Sequence, residues 1–158
     1  SERPIAITHA NPKWWHDCAR NQTDTVIRAL TESGGMLGFS LYAHHLNGGS
    51  HCGVDDFCQM VADAASRYGC EQLGIGSDLC QDQPDEIVKW MRNGRWRVEE
   101  EDDAPAVFPQ QPSWFEDNLG FDNIAAGLKK VGLNETEIAA IMGGNWLRFY
   151  RDSFAPQV

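Results

Sequence analysis

Positive charge is scarce in this chain: 13 Lys and Arg stand against 23 Asp and Glu, a net charge of −10. Such a surface repels a phosphate backbone, so nucleic acid is not an expected partner. No apolar run approaches the ~18 residues of a membrane span. The first residues lack a signal-peptide pattern, and Phe154 to Val158 lack the apolar tail of a lipid-anchor signal. Cysteine is present but unorganised. Cys18, Cys52, Cys58, Cys70 and Cys80 are odd in number, and none forms a Cys-x-x-Cys pair. Reduced thiols in a cytoplasmic setting are expected, not a disulfide frame or a zinc finger. There is no Gly-x-Ser-x-Gly elbow and no cysteine set in an evident nucleophile motif, which disfavours a covalent nucleophile. Gly74-Ile75-Gly76 lacks the third glycine of a dinucleotide fingerprint and is not followed at once by a helix. Those glycines are better explained by a close backbone approach.

What is present is an alternation of strand and helix over a length that suits one domain. Residues 3–9 read as a short buried strand. Thr23 and Asp24 offer caps to a helix with Val26, Ile27 and Leu30 on one face, stopped at Gly34-Gly35. Met36 to Tyr42 is a second strand. Val54, Phe57, Met60, Val61, Ala64, Ala65 and Tyr68 recur at helical spacing before Gly69. Leu73 to Gly76 is a third strand, so the strands are expected to be parallel with helical crossovers. Residues 79–119 then hold four of the seven prolines, Trp90, Trp96, Trp114 and the acidic run Glu99 to Asp103. This excursion exceeds an ordinary βα loop and reads as a packed lid with one short helix near 84–92. The acidic run reads as a solvated tip. Helices over about 121–131 and from Glu135 through Phe149 close the chain. Three parallel strands cannot close a barrel and leave two edges open, so the sequence reads as part of a larger fold.

Chemistry-bearing residues gather at the strand ends. In Thr8-His9-Ala10-Asn11-Pro12 a strand ends in histidine and breaks into an Asn-Pro turn. Asp78 follows the third strand, and in a parallel sheet His9 and Asp78 can converge at the carboxyl edge. Imidazole beside carboxylate suits Zn²⁺, although one pair of residues is a weak signal. Arg20 and Asn21 lie in the loop after His9, where a guanidinium can either fork onto a carboxylate or make a surface ion pair. Tyr42, His44 and His45 end the second strand and are expected to serve as a substrate wall or hydrogen-bonding groups. His16-Asp17 reads as a turn and His51 as surface.

Taken together, "ITHANP…HDCARN", "GGMLGFSLY", "LGIGSDL" and "IMGGNWLRFY" resemble the C-terminal half of the membrane (renal) dipeptidase family. The likeness runs in order along nearly the whole chain. It implies an α/β fold, namely the last three β/α units of a TIM-type (β/α)8 barrel, with residues 1–158 as the C-terminal part of that barrel domain and a lid-like insertion at about 79–119. It implies a two-zinc metallopeptidase hydrolysing dipeptides that carry a free C-terminal carboxylate. By the same resemblance His9 is a zinc ligand and Asp78 the acid/base that passes a proton to the leaving amine. Arg20 anchors the carboxylate, with Tyr42 and Asn21 beside it. Leu79-Cys80 departs from the Phe-Asp usual after that aspartate. The family's remaining ligands lie upstream of this segment, so the 158 residues are expected to be inactive alone. The expected partners are the dipeptide, the N-terminal half of the barrel on the same or another chain, and a second copy in a homodimer. The competing expectations are a non-catalytic or complementing half-barrel subunit and a related small-molecule amidase.

Overall fold

The computed structural model describes residues 3–94 and 108–155. Trp96 and the acidic run 99–103 lie outside the described residues. Three strands, β1 (Ala6–Ile7), β2 (Met36–Phe39) and β3 (Leu73–Ile75), form a parallel sheet in the order β1-β2-β3. Helix α1 (Asp24–Glu32) links β1 to β2, and α2 (Val54–Tyr68) links β2 to β3. The register pairs Ile7 with Leu37 and Leu37 with Leu73. Thr23 caps α1 by accepting from the Val26 amide, and Gly69 ends α2, both as the sequence pattern requires. The strands are shorter than their apolar runs. Beyond Ile7 and Phe39 the backbone leaves the ladder, although Ala10 N–H still donates to Gly38 O at 2.9 Å.

One face of the sheet, carrying Leu37, Phe39 and Leu73, packs against Ile27 and Leu30 of α1 and Phe57, Met60, Val61 and Ala64 of α2. Helix α3 (Asp85–Asn93) occupies the expected place after β3, yet Val88 is its one fully buried apolar side chain and Trp90 is 61% exposed. Trp114 and Phe115, in the far arm of the 79–119 excursion, join the core. Phe115 is fully buried against the Phe121 ring, and Trp114 Nε1 donates to Cys52 O at 2.7 Å. Helix α4 (Phe121–Lys130) packs on α2 through Ile124 and Leu128.

The closing segment is two helices where the apolar period reads as one. α5 (Glu135–Ala139) opens with a capping box on Asn134, and α6 (Asn145–Phe154) begins after the chain bends at Gly143-Gly144. The bend brings two α6 side chains to the free edge of β3. Asn145 Nδ2 donates to Cys70 O and Leu73 O at 2.7 and 2.8 Å, and Trp146 Nε1 donates to Ile75 O at 3.0 Å. Leu73 and Ile75 carbonyls face away from β2, so these donors satisfy groups that an edge strand would leave open. Among the described residues no helix is long and apolar enough to cross a membrane. All five cysteines are free, and burial pushes the Cys52 and Cys58 thiols up to about 12.

Candidate functional site at the carboxyl edge of the sheet

Two glycines let β1 deliver its histidine. The Thr8 carbonyl lies so close over the sheet that a Cβ on Gly38 would sit 2.1 Å from Thr8 O, and one on Gly76 only 1.7 Å from it. This close approach carries the chain after Ile7 across the end of β2 toward the end of β3. His9 Nε2 thereby comes to 3.9 Å from Asp78 Oδ2. The other ring nitrogen, His9 Nδ1, is 2.8 Å from Thr8 Oγ1. A hydroxyl on Nδ1 orients the ring and leaves Nε2 turned to the site, the arrangement in which a histidine serves as a metal ligand. Asp78 itself has φ 54°, a left-handed conformation that non-glycine residues adopt at a cost but that Asp and Asn tolerate best. That conformation turns the chain at the end of β3.

Arg20 meets the same pair. Its Nη2 contacts His9 Nε2, and its Nε donates to His9 O at 3.4 Å. The exposed guanidinium therefore stands at the mouth. Tyr42 and His45 complete this side, with ring centroids 5.0 Å apart and His45 stacked 6.4 Å from His9. Burial, then the Arg20 charge, holds the His45 imidazole down at about 4, so it is neutral near pH 7. Together His9, Arg20, Tyr42, His45 and Asp78 line a cleft of about 320 Å³, closed on the excursion side by Cys80, Met91 and Phe108. A larger cavity of about 490 Å³ lies at the amino ends of the strands, lined by Pro4, Gly34 and Gln72. Chemistry in α/β folds sits at the opposite, carboxyl end. Arg148, which also lines that cavity, is committed to Asn145 Oδ1 and Glu71 O.

Asn21 does not reach the cleft. It is buried, and its side chain is spent inside the loop: Oδ1 accepts from Asn11 N–H at 2.8 Å, and Nδ2 donates to His16 O and His45 O at 2.8 and 3.1 Å. Burial of a polar amide requires such partners, and here they come from the loop backbone, so Asn21 braces the loop next to Arg20. Asn11 is the residue that sequence reasoning passed over as a turn former. Fully buried, it donates through Nδ2 to Ser40 O and His45 O, both at 3.0 Å, and accepts from Ser40 N–H at 3.0 Å. The two asparagines tie the loops after β1 and β2 into one unit that carries His9, Arg20, Tyr42 and His45. Asn11→Ala leaves buried backbone groups unpaired and is expected to cost about 2–4 kcal/mol, read as a lowered urea midpoint at unchanged slope. The turn falls at residues 13–15, just ahead of His16-Asp17, with Asp17 paired to Lys13 at 2.9 Å, and His44 and His51 are exposed.

An imidazole nitrogen and a carboxylate oxygen are the donor types that zinc takes, but two donors are fewer than the three or four of a zinc site. Among the described residues no group of three or more His, Cys, Asp and Glu could hold a metal ion. The pair thus fits a metal by kind and falls short by number.

Parallel strands, helical crossovers and a polar cluster at the carboxyl edge define a piece of a parallel α/β fold. The sequence profile of the membrane dipeptidase family (peptidase family M19) matches residues 1–92, and the chain belongs to that family. Among solved structures, an amidohydrolase from Pseudomonas aeruginosa superposes with a TM-score of 0.83 at 24% identity, covering 96% of this chain and 46% of its own. A dipeptidase of family M19 gives 0.74 at 21% identity, covering 99% of this chain and 39% of its own. A metallopeptidase from Rhodobacter sphaeroides, liganded with a phosphinate mimic of L-Ala-D-Ala, gives 0.70 at 21%, with coverages of 94% and 36%. The chain therefore spans less than half the length of these structures. Comparison with curated protein sequences gives no match.

Proposed function

We propose that this chain contributes His9, Asp78 and Arg20 to the site of a metallodipeptidase that hydrolyses dipeptides bearing a free C-terminal carboxylate. The observation that carries the reading is the meeting of His9 Nε2, Asp78 and the Arg20 guanidinium at one mouth of the parallel sheet. Family membership and the likeness to larger hydrolases support it. Because His9 is the metal ligand that this reading assigns among the described residues, further ligands must come from the remainder of the barrel, on the same or a separate chain. Zinc, when bound, supplies an activated water.

Each residue of the chain then has its own task. Thr8 orients the His9 ring, so that Nε2 is the nitrogen presented as a ligand. Arg20 binds the substrate carboxylate by a two-pronged charge-assisted hydrogen bond and sets the position of the peptide along the cleft. Asp78, exposed and outside that clamp, is free to take a proton at its carboxylate and return it to the departing amine. Met91 and Phe108 narrow the cleft and exclude water from one side. Residues 1–158 act as one part of a barrel domain, and a homodimer is the proposed assembly.

In the complete enzyme Arg20→Ala is expected to raise KM by about ten- to a hundredfold, the worth of a hydrogen bond to a charged group, with kcat changed much less. Steady-state kinetics on Ala-Ala measures this. An unchanged KM removes the carboxylate role, and equal hydrolysis of N-acyl amides without a carboxylate turns the reading toward an amidase.

A further inference from the structure

Ser40 and His45 form a pair that the roles above do not use. Ser40 is fully buried, and its hydroxyl lies 2.8 Å from His45 Nδ1. The same oxygen accepts from Tyr42 N–H at 3.3 Å. A buried hydroxyl needs an acceptor for its own proton, and among the described residues His45 Nδ1 is the acceptor within reach. Ser40 O–H therefore donates to Nδ1. In a neutral imidazole that places the ring proton on Nε2. His45 Nε2 has no hydrogen-bond partner among the described residues, and the ring lines the cleft beside Arg20 and Tyr42. The ring is also held in place, because His45 O is fixed by Asn11 and Asn21.

From this geometry we infer that His45 is a specificity-determining residue whose Nε2–H, oriented by Ser40, donates to the carboxylate of a substrate held by Arg20. A guanidinium alone fixes an anion in one plane. A second donor from β2's loop fixes the carboxylate from another direction and discriminates it from a neutral amide, whose NH₂ would face an N–H. Among the described residues Asp78 is the acidic side chain lining the cleft and stands beyond His9, so the Arg20 and His45 side is the one that attracts an anion. The inference rests on the carboxylate reading of Arg20.

Two measurements test it. The first is the tautomer of His45 in the isotopically labelled wild-type chain, read by ¹⁵N–¹H correlation of the imidazole nitrogens at neutral pH. The proton is expected on Nε2, and a proton on Nδ1 overturns the inference whatever Arg20 does. The second compares Ala-Ala with Ala-Ala amide in the complete enzyme. His45→Ala is expected to raise KM for Ala-Ala about tenfold or more, leaving kcat within about threefold and KM for the amide nearly unchanged. His45→Gln, which restores an N–H near the Nε2 position, is expected to recover most of the affinity. An equal change for both substrates, or a fall in kcat at constant KM, overturns the role. Should His45→Ala fail to fold, the tautomer and the His45→Gln kinetics still decide. Failure of Arg20→Ala to move KM is a separate result, which removes the underlying carboxylate reading.

Discussion

Gly76→Ala is expected to destabilise the protein by about 3 kcal/mol or more, at or beyond the upper end of what overpacking a core costs. The reason lies in backbone, not side chain. The added methyl would sit 1.7 Å from Thr8 O and 2.8 Å from Thr8 C, and a carbonyl cannot rotate aside as a side-chain tip can. Either the segment Thr8–Ala10 lifts off the sheet, breaking the Ala10 N–H to Gly38 O hydrogen bond, or β3 shifts. Both responses separate His9 from Asp78. Urea unfolding should show the reduced stability. If the variant folds at low temperature, the His9 ring resonances should move in the same sample. Gly132→Ala is a useful contrast, because a Cβ there meets nothing within 4 Å and the cost comes from its φ of +99° alone. A Gly76→Ala variant as stable as the parent would show that the Thr8 carbonyl does not rest on this glycine.

Asp78→Asn is expected to lower kcat of the complete enzyme by about 10²- to 10⁴-fold, the usual worth of a general acid–base group, while leaving the unfolding midpoint within experimental error. Two features make this substitution clean. Asparagine tolerates the left-handed φ of 54° about as well as aspartate, so the turn after β3 keeps its shape. The substitution removes only a partly exposed charge pairing with His9 at 3.9 Å, and pairs of that kind contribute little to stability. A fall in activity at constant stability therefore reports chemistry at the carboxylate. If kcat falls less than about threefold, Asp78 does not handle the proton, and it is left as a turn residue.

These effects bear on how much of the molecule could be read from the chain. Helix positions were legible because their signals are local: the Thr23 cap, the Gly69 stop and the apolar period of α2 each act within a few residues. The parallel order of the strands followed from their alternation with helices. The lengths of the strands were not legible, since an apolar run continues past the point where its backbone leaves the ladder. Ser40 and Leu41 stay fully buried after β2 has ended. For the same reason the far arm of the 79–119 excursion looked like a cover. Tryptophan and phenylalanine there announce burial but not the surface against which they are buried, and Phe115 turns out to lie in the main core.

Within the candidate site, residue type and position placed His9, Asp78 and Arg20 near one edge of the sheet, and the family resemblance is what singled them out. Asn21, its position equally suggestive, faces inward, and nothing local distinguishes a loop asparagine that binds a ligand from one that binds its own backbone. Asn11, read as a turn former, hid its buried role for a related cause. Its hydrogen bonds to Asn21, Ser40 and His45 span 10 to 34 residues of sequence, and those to Ser40 and His45 exist only after the two loops have met.

By itself, then, the amino-acid sequence determined the α/β alternation, the helix ends, the excess of acidic charge and the residue types available at the strand ends, all of them properties of short stretches. The tertiary structure decided which of those residues share a mouth, and it did so through interactions between distant segments: the Thr8 carbonyl resting on Gly38 and Gly76, the asparagine knot between two loops, and the bend that lays Asn145 and Trp146 along the edge of β3. Such interactions depend on the space and hydrogen-bonding partners that the folded backbone provides, and no local pattern encodes them.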